Sequence, residues 1–202
     1  MTVTIAPATL RDMTYIAANM RDADRREIRA VFPAGDTEIG MALFQSSPDF
    51  AWTGHLDGAP VCAFGISPLF PGLGAGWAYG TPRMPRAMAA ITRFCLRTVA
   101  PKLLQACFRR IEVRSAADHD LSHRWLECLG FVREGVAVAY GSDGLDFVTY
   151  AAVRSKDAPA SHLPRENIRR TNLDGTSLPC YDHTDMGRAL LPDLLSTDLL
   201  NF

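Results

Sequence analysis

The stretch Ser122-His123-Arg124-Trp125-Leu126-Glu127-Cys128-Leu129-Gly130-Phe131 decides how this chain is read. Leu121, Trp125, Leu126 and Leu129 recur at helical spacing, so one side of the segment is apolar. Gly130 stands where a helix ends on a left-handed residue, and Phe131 leads into an extended run. A strand is expected before this helix, over residues 109–114, and another after it, over 137–140.

Working outward, residues 3–6 read as a short strand. Thr9 reads as an N-cap with Asp12 three residues on, opening a helix to about residue 20. Asp22 or Asp24 opens a second helix carrying Ile28, Val31 and Phe32 to its end at Pro33, and residues 37–45 form a third piece stopped by Ser46-Ser47-Pro48. Strands are expected over 50–56 and 60–66, joined by an Asp57-Gly58 hairpin turn. Residues 68–74 are rich in Gly and Pro and read as a loop, followed by a strand over 77–79 and a helix over 85–104, bent near Pro101. After strand 111–113 and the helix quoted above come strand 136–140, the turn Gly141-Ser142-Asp143-Gly144 and strand 145–153. The order implies a mixed α/β (α+β) fold, with a central, mostly antiparallel sheet flanked by helices.

The chain has 202 residues and a formal net charge of −1, with acids and bases interspersed, so nothing argues for specific nucleic-acid binding. Arg21, Arg25, Arg26 and Arg29 alternate with Asp22, Asp24 and Glu27, which reads as a solvated helix face. The number of cysteines, five, is odd; Cys62, Cys95, Cys107 and Cys128 lie in apolar runs and read as buried reduced thiols, while Cys180 lies in a polar tail. No His/Cys spacing suits a metal. No signal-peptide pattern or membrane-length apolar run is present, so synthesis and residence in the cytoplasm are expected. From residue 155 the composition turns to Pro, Asn, Asp, Thr and Ser, which builds no core of its own. Two parts are therefore expected: a domain over 1–154 and an extended arm over 155–202. Leu190, Leu191, Leu194, Leu195, Leu199, Leu200 and Phe202 are the arm's candidate anchors on a partner.

The strand–helix–Leu129-Gly130-Phe131–strand order resembles the C-terminal half of the GNAT (Gcn5-related N-acetyltransferase) superfamily, and the resemblance extends over about residues 1–153. It implies an acetyl-CoA pyrophosphate held on backbone N–H groups after the fourth strand, on a motif of the type Q/R-x-x-G-x-G/A. The equivalent stretch here, Gly80-Thr81-Pro82-Arg83-Met84-Pro85-Arg86-Ala87-Met88, has no internal glycine, and its two prolines remove two N–H donors. A tyrosine that serves as general acid in the family is matched by Leu126, and a family asparagine by His119. A narrower resemblance, to phage-encoded acetyltransferase-like proteins that include an internal virion protein, is carried by the Asp57-Gly58 hairpin, Ala63-Phe64-Gly65-Ile66 and three further stretches. These are the run from Asn19 to Ile28, Trp77-Ala78-Tyr79-Gly80-Thr81, and Arg124 to Phe131.

Two functions are expected from this. The first is a non-enzymatic or catalytically degenerate virion protein, a structural adaptor near the portal or tail. Its arm would dock on other virion proteins, with self-association in a ring, no cofactor, and residence in the host cytoplasm and then the virion. The alternative is an acetyl-CoA-dependent N-acetyltransferase. In that case Trp77, Tyr79, Arg83 and Arg86 would hold acetyl-CoA, and Glu112 or His119 would move the proton, with Asp118 and His123 as further candidates.

Overall fold

A computed structural model describes residues 1–154 and, beyond them, residues 170–171 and 177–178. The chain divides into a unit Met1–Arg154 and a unit Ser155–Phe202. In the second, β8 (Arg170–Thr171) pairs antiparallel with β9 (Ser177–Leu178). Cys180 and the arm residues Leu190, Leu191, Leu194, Leu195, Leu199, Leu200 and Phe202 lie outside the described residues.

The first unit opens with β1 (Val3–Pro7), then α1 (Leu10–Ala18), α2 (Asp22–Val31) and α3 (Asp36–Ser46). The Thr9 side chain accepts the Asp12 N–H at 3.1 Å, as the capping pattern predicts. Strands β2 (Ala51–Leu56), β3 (Ala59–Phe70) and β4 (Leu73–Gly80) follow as an antiparallel run. Asp57 and Gly58 both take positive φ, 51° and 81°, the tight turn expected of that pair. Residues 68–74 are not a loop: β3 and β4 continue through them and turn at Pro71 and Gly72. Pro68 is tolerated because it faces the side of β3 that β2, ending opposite Gly65, no longer covers.

After β4 come a single 3₁₀ turn (Met84–Arg86), α4 (Met88–Phe94), a π-helical turn (Cys95–Val99) and α5 (Ala100–Gln105). The expected long helix is thus segmented, with the wide turn falling just ahead of Pro101, which has no N–H to give. Then follow β5 (Arg110–Ala116), α6 (Asp120–Cys128), β6 (Val132–Ala137) and β7 (Phe147–Val153). Gly130 has φ 87°, so the chain reverses at once and β6 starts at Val132, earlier than the expected 136–140.

The sheet order is β1-β2-β3-β4-β5-β7-β6, and only the β4–β5 pairing is parallel. One apolar cluster (Met13, Ile16, Met20, Ile39, Ala63, Tyr79) joins α1 and α3 to β3 and β4. Another (Trp52, Leu56, Phe64, Ile66, Met84, Ile91, Ile111) packs α4 against β2, β3 and β5. Leu126 of α6 meets Val148 and Tyr150 of β7. Among the cysteines, Cys62 is buried and burial pushes its thiol up to about 12. Cys107 and Cys128 are exposed, contrary to expectation, because their apolar neighbours belong to helix and turn faces that do not close over them.

Candidate functional site

The parallel seam between β4 and β5 is three pairs long: Leu73, Gly74 and Ala75 face Arg110, Ile111 and Glu112. Beyond it β4 continues to Gly80 and β5 to Ala116 with no ladder between them. The strands therefore open a cleft in the middle of the sheet. Strand alternation fixes which backbone groups face it. Thr81 N–H donates to Val61 O on the β3 side, whereas Gly80 N–H and C=O point the other way. Ala78, two residues earlier, turns its N–H and C=O toward the same cleft. On the opposite wall Ala117 N–H donates to Asp146 O, so Arg114 presents its own backbone groups inward.

Helix α2 lies across the far end. The Asp24 carboxylate accepts Gly80 N–H at 2.8 Å and pairs with Arg21, whose N–H donates to Gly80 O at 2.9 Å. One turn on, Glu27 Oε2 lies 2.8 Å from His119 Nδ1 and accepts the Ser115 hydroxyl at 3.2 Å. Arg26 pairs with Asp118 at 2.6 Å, and Ala30 O accepts the Ser142 N–H from the β6–β7 connection. The helix is thus tied to β4, to the end of β5 and to the β6–β7 loop. Its charges are largely tertiary partners: Asp24 is buried and Glu27 is 18% exposed, which corrects the solvated-face expectation. Ala23, Arg26, Glu27, Ala116, Asp118 and His119 enclose a pocket of about 90 Å³ at this end. The hydrogen bond to Glu27 and its negative charge raise the His119 pKa against the opposing effect of burial.

The expected site residues fare differently. His119 lines the pocket. Glu112 is held by Arg110 at 2.6 Å, and Arg110 also grips Glu134, so this carboxylate sits in an ion-pair network. Asp118 is the partner of Arg26, and His123 Nε2 lies 3.0 Å from Ala116 O. The Trp77 indole N–H donates to Ser47 Oγ at 3.0 Å, and the fully buried Tyr79 hydroxyl donates to Met13 O at 3.1 Å, so both rings belong to the helix-packed face. Only the strand backbone between them reaches the cleft. Arg83 and Arg86 are exposed and have no ion-pair partner among the described residues. Glu27 and Ser115 escaped sequence reading, and nothing local distinguishes them: their roles depend on α2 meeting the end of β5.

In the turn between β4 and α4, Pro82 and Pro85 lack N–H groups, and those of Arg83, Met84, Arg86 and Ala87 are bonded to Thr81 Oγ1, Thr81 O, Arg83 O and Met84 O.

No protein-family model matches the sequence, and no curated protein matches it. Solved structures do match in shape. A GNAT-superfamily phosphinothricin acetyltransferase from Sinorhizobium meliloti, in complex with AcCoA, aligns with TM-score 0.60 and 18% identity over 76% of this chain and 89% of that one. Ard1 from Thermoplasma volcanium gives 0.57 and 14% over 77% of this chain and 100% of that one. The ribosomal-protein-S18-alanine N-acetyltransferase from Escherichia coli gives 0.57 and 13% over 77% and 98%. This chain has the GNAT fold. Two of these three structures are named as acetyltransferases and none as a virion protein, which overturns the expectation of a non-enzymatic virion adaptor. Among the described residues no helix is long and apolar enough to cross a membrane.

Proposed function

We propose that this GNAT-fold protein is an acyltransferase that moves an acyl group from a coenzyme A thioester to an amine. The observation that carries this reading is the cleft between β4 and β5, toward which Ala78 turns an amide and carbonyl that the β4–β5 ladder leaves unpaired. A ligand with amide groups along its length is complementary to such a strand edge, because it completes the ladder that the diverging strands leave unmade. Its phosphates need cations. Between Thr81 and Ala106 the chain carries Arg83, Arg86, Arg93, Arg97 and Lys102 and no acid. Lys102 donates to Asp49 O and sits over the rings of Phe50 and Trp52, which leaves the arginines for an anion. Arg83 and Arg86, exposed in the turn itself, are the groups that would hold phosphate through guanidinium contacts.

A bound thioester supplies the acyl group and departs as a thiol. The protein's own part is to hold the two reactants in one cleft and to accept a proton from the amine. The first test is a calorimetric titration of the full chain with acetyl-CoA, repeated with Arg83→Ala and Arg86→Ala. Saturable binding that both substitutions weaken, and that salt weakens further, supports the reading. Absence of binding at millimolar ligand overturns it.

A further inference from the structure

We propose that His119 is the base that takes a proton from the acceptor amine, and that Glu27, reaching across from α2, is its positioning residue. The inference rests on the acyltransferase reading and gives its site a definite chemistry.

The geometry carries it. His119 stands at the start of α6, directly beyond the end of β5. Its Nδ1 is engaged by Glu27 Oε2 at 2.8 Å, which sets the tautomer of the neutral ring: Nδ1 carries the hydrogen and Nε2 the lone pair. Glu27 is itself held by the Ser115 hydroxyl, so the carboxylate is oriented before any substrate arrives. Both side chains line the pocket at the mouth of the cleft, at 12% and 18% exposure, shielded from bulk water and still reachable. A nucleophile–base–orienter array needs this order of contacts: a base beside an open space, and a buried acceptor behind it. The competing candidate, Glu112, is engaged by Arg110 at 2.6 Å.

The groups that face His119 set its protonation. Glu27 and Asp24 on α2 favour the charged form, and Arg21 opposes it. Asp118 and Arg26, which also line the pocket, neutralise one another. The resulting field suits a protonated primary amine, the form in which such an acceptor arrives at neutral pH. On becoming an amide the ammonium loses two protons. His119 Nε2 takes the first, which frees the lone pair for the acyl carbon, and then passes it to solvent. The second leaves on the departing thiol. No oxidant or further reactant is needed.

The test uses the full chain, acetyl-CoA and a panel of primary amines running from amino acids and short peptides to polyamines, with thiol release as the rate signal. The wild type should show a rate that rises with pH along one limb. His119→Gln should lower the rate by about 10²–10⁴-fold at the plateau and remove that limb, with acetyl-CoA affinity unchanged. Glu27→Gln should shift the limb to lower pH and lower the plateau less. A second readout is independent of turnover: in an NMR titration the His119 imidazole should titrate above the ordinary histidine range in wild type and fall back in Glu27→Gln. Thermal melts of each variant confirm that it is folded. If the wild type transfers acetyl to none of the amines, the acyltransferase reading fails and this inference with it. If the wild type is active but His119→Gln keeps the same rate and limb, or Glu27→Gln leaves the imidazole titration unmoved, the inference alone is overturned.

Discussion

Replacing Asp24 by alanine tests the idea that α2 is latched to the sheet. The Asp24 side chain is only 3% exposed and accepts Gly80 N–H at 2.8 Å while pairing with Arg21 at 2.7 Å. In Asp24→Ala, Gly80 N–H is left without its acceptor in a place closed to water, a loss of about 1.5–3 kcal/mol for a hydrogen bond to a charged group. Arg21 is 24% exposed and regains water when released, so the ion pair adds at most about 1 kcal/mol. The sum is about 1.5–4 kcal/mol, and for a unit of this size each kcal/mol lowers Tm by roughly 2–4 °C. Asp24→Asn keeps an acceptor for Gly80 and loses only the charge, so about half the effect is expected. Urea unfolding followed by tryptophan fluorescence reads both, since Trp52 and Trp125 report on one apolar cluster and Trp77 on the other. A shift below about 0.5 kcal/mol for the alanine variant, the level of an ordinary surface change, would refute the latch. So would equal losses for the two variants.

Other substitutions probe separate features. A Cβ at Gly40 would lie 3.0 Å from Thr14 Cα and 3.2 Å from the Met13 carbonyl carbon, so Gly40→Ala should destabilise by pushing α1 from α3, even though alanine favours a helix by about 1 kcal/mol; a rise in Tm would show slack in that contact. The Thr53 hydroxyl is buried without a hydrogen-bond partner among the described residues, so Thr53→Val should be neutral or stabilising by up to about 1 kcal/mol in the same unfolding assay. The raised pKa of His119 has a sign that stability can read. The extra stability is fully present below the ordinary histidine pKa of about 6.5 and fades as pH rises through the higher folded-state value. Wild type minus Glu27→Gln stability, followed from about pH 5.5 to pH 9, should therefore shrink with rising pH, and growth instead would contradict the assignment.

The elements legible in the sequence were those with local causes. Gly130 ends α6 at positive φ, Asp57-Gly58 makes its hairpin, and Thr9 caps α1, each through contacts within a few residues. The β3–β4 hairpin was misread because glycine and proline usually signal loops, and the tolerance of Pro68 depends on where β2 stops. The site was least legible. His119 was visible as a titratable residue before a helix, but its partner Glu27 is 92 residues away and looked like any solvent-facing charge. Trp77 and Tyr79 marked the right strand, yet their rings pack on the opposite side from the backbone that matters. A cleft made by two strands parting has no sequence signature of its own, since it arises from pairings that fail to continue.

The three-pair seam also bears on how the molecule opens and closes. Strands β1 to β4 pair in chain order, whereas β5 pairs with β7 and β7 in turn with β6. Among the described residues the two sets are joined by that seam, the Arg109 bonds to Pro71 and Gly72, the anchors of α2, the Trp125–Thr92 bond and shared apolar packing. Each half is continuous in sequence, so each can pair its own strands, and their joining is a separate step. In native-state hydrogen exchange the seam amides should report a sub-global opening of lower free energy than the β2–β3 amides, so the two halves would behave as separate cooperative units. The part of the sheet that is widest at the surface would then also be the line along which the protein comes apart first.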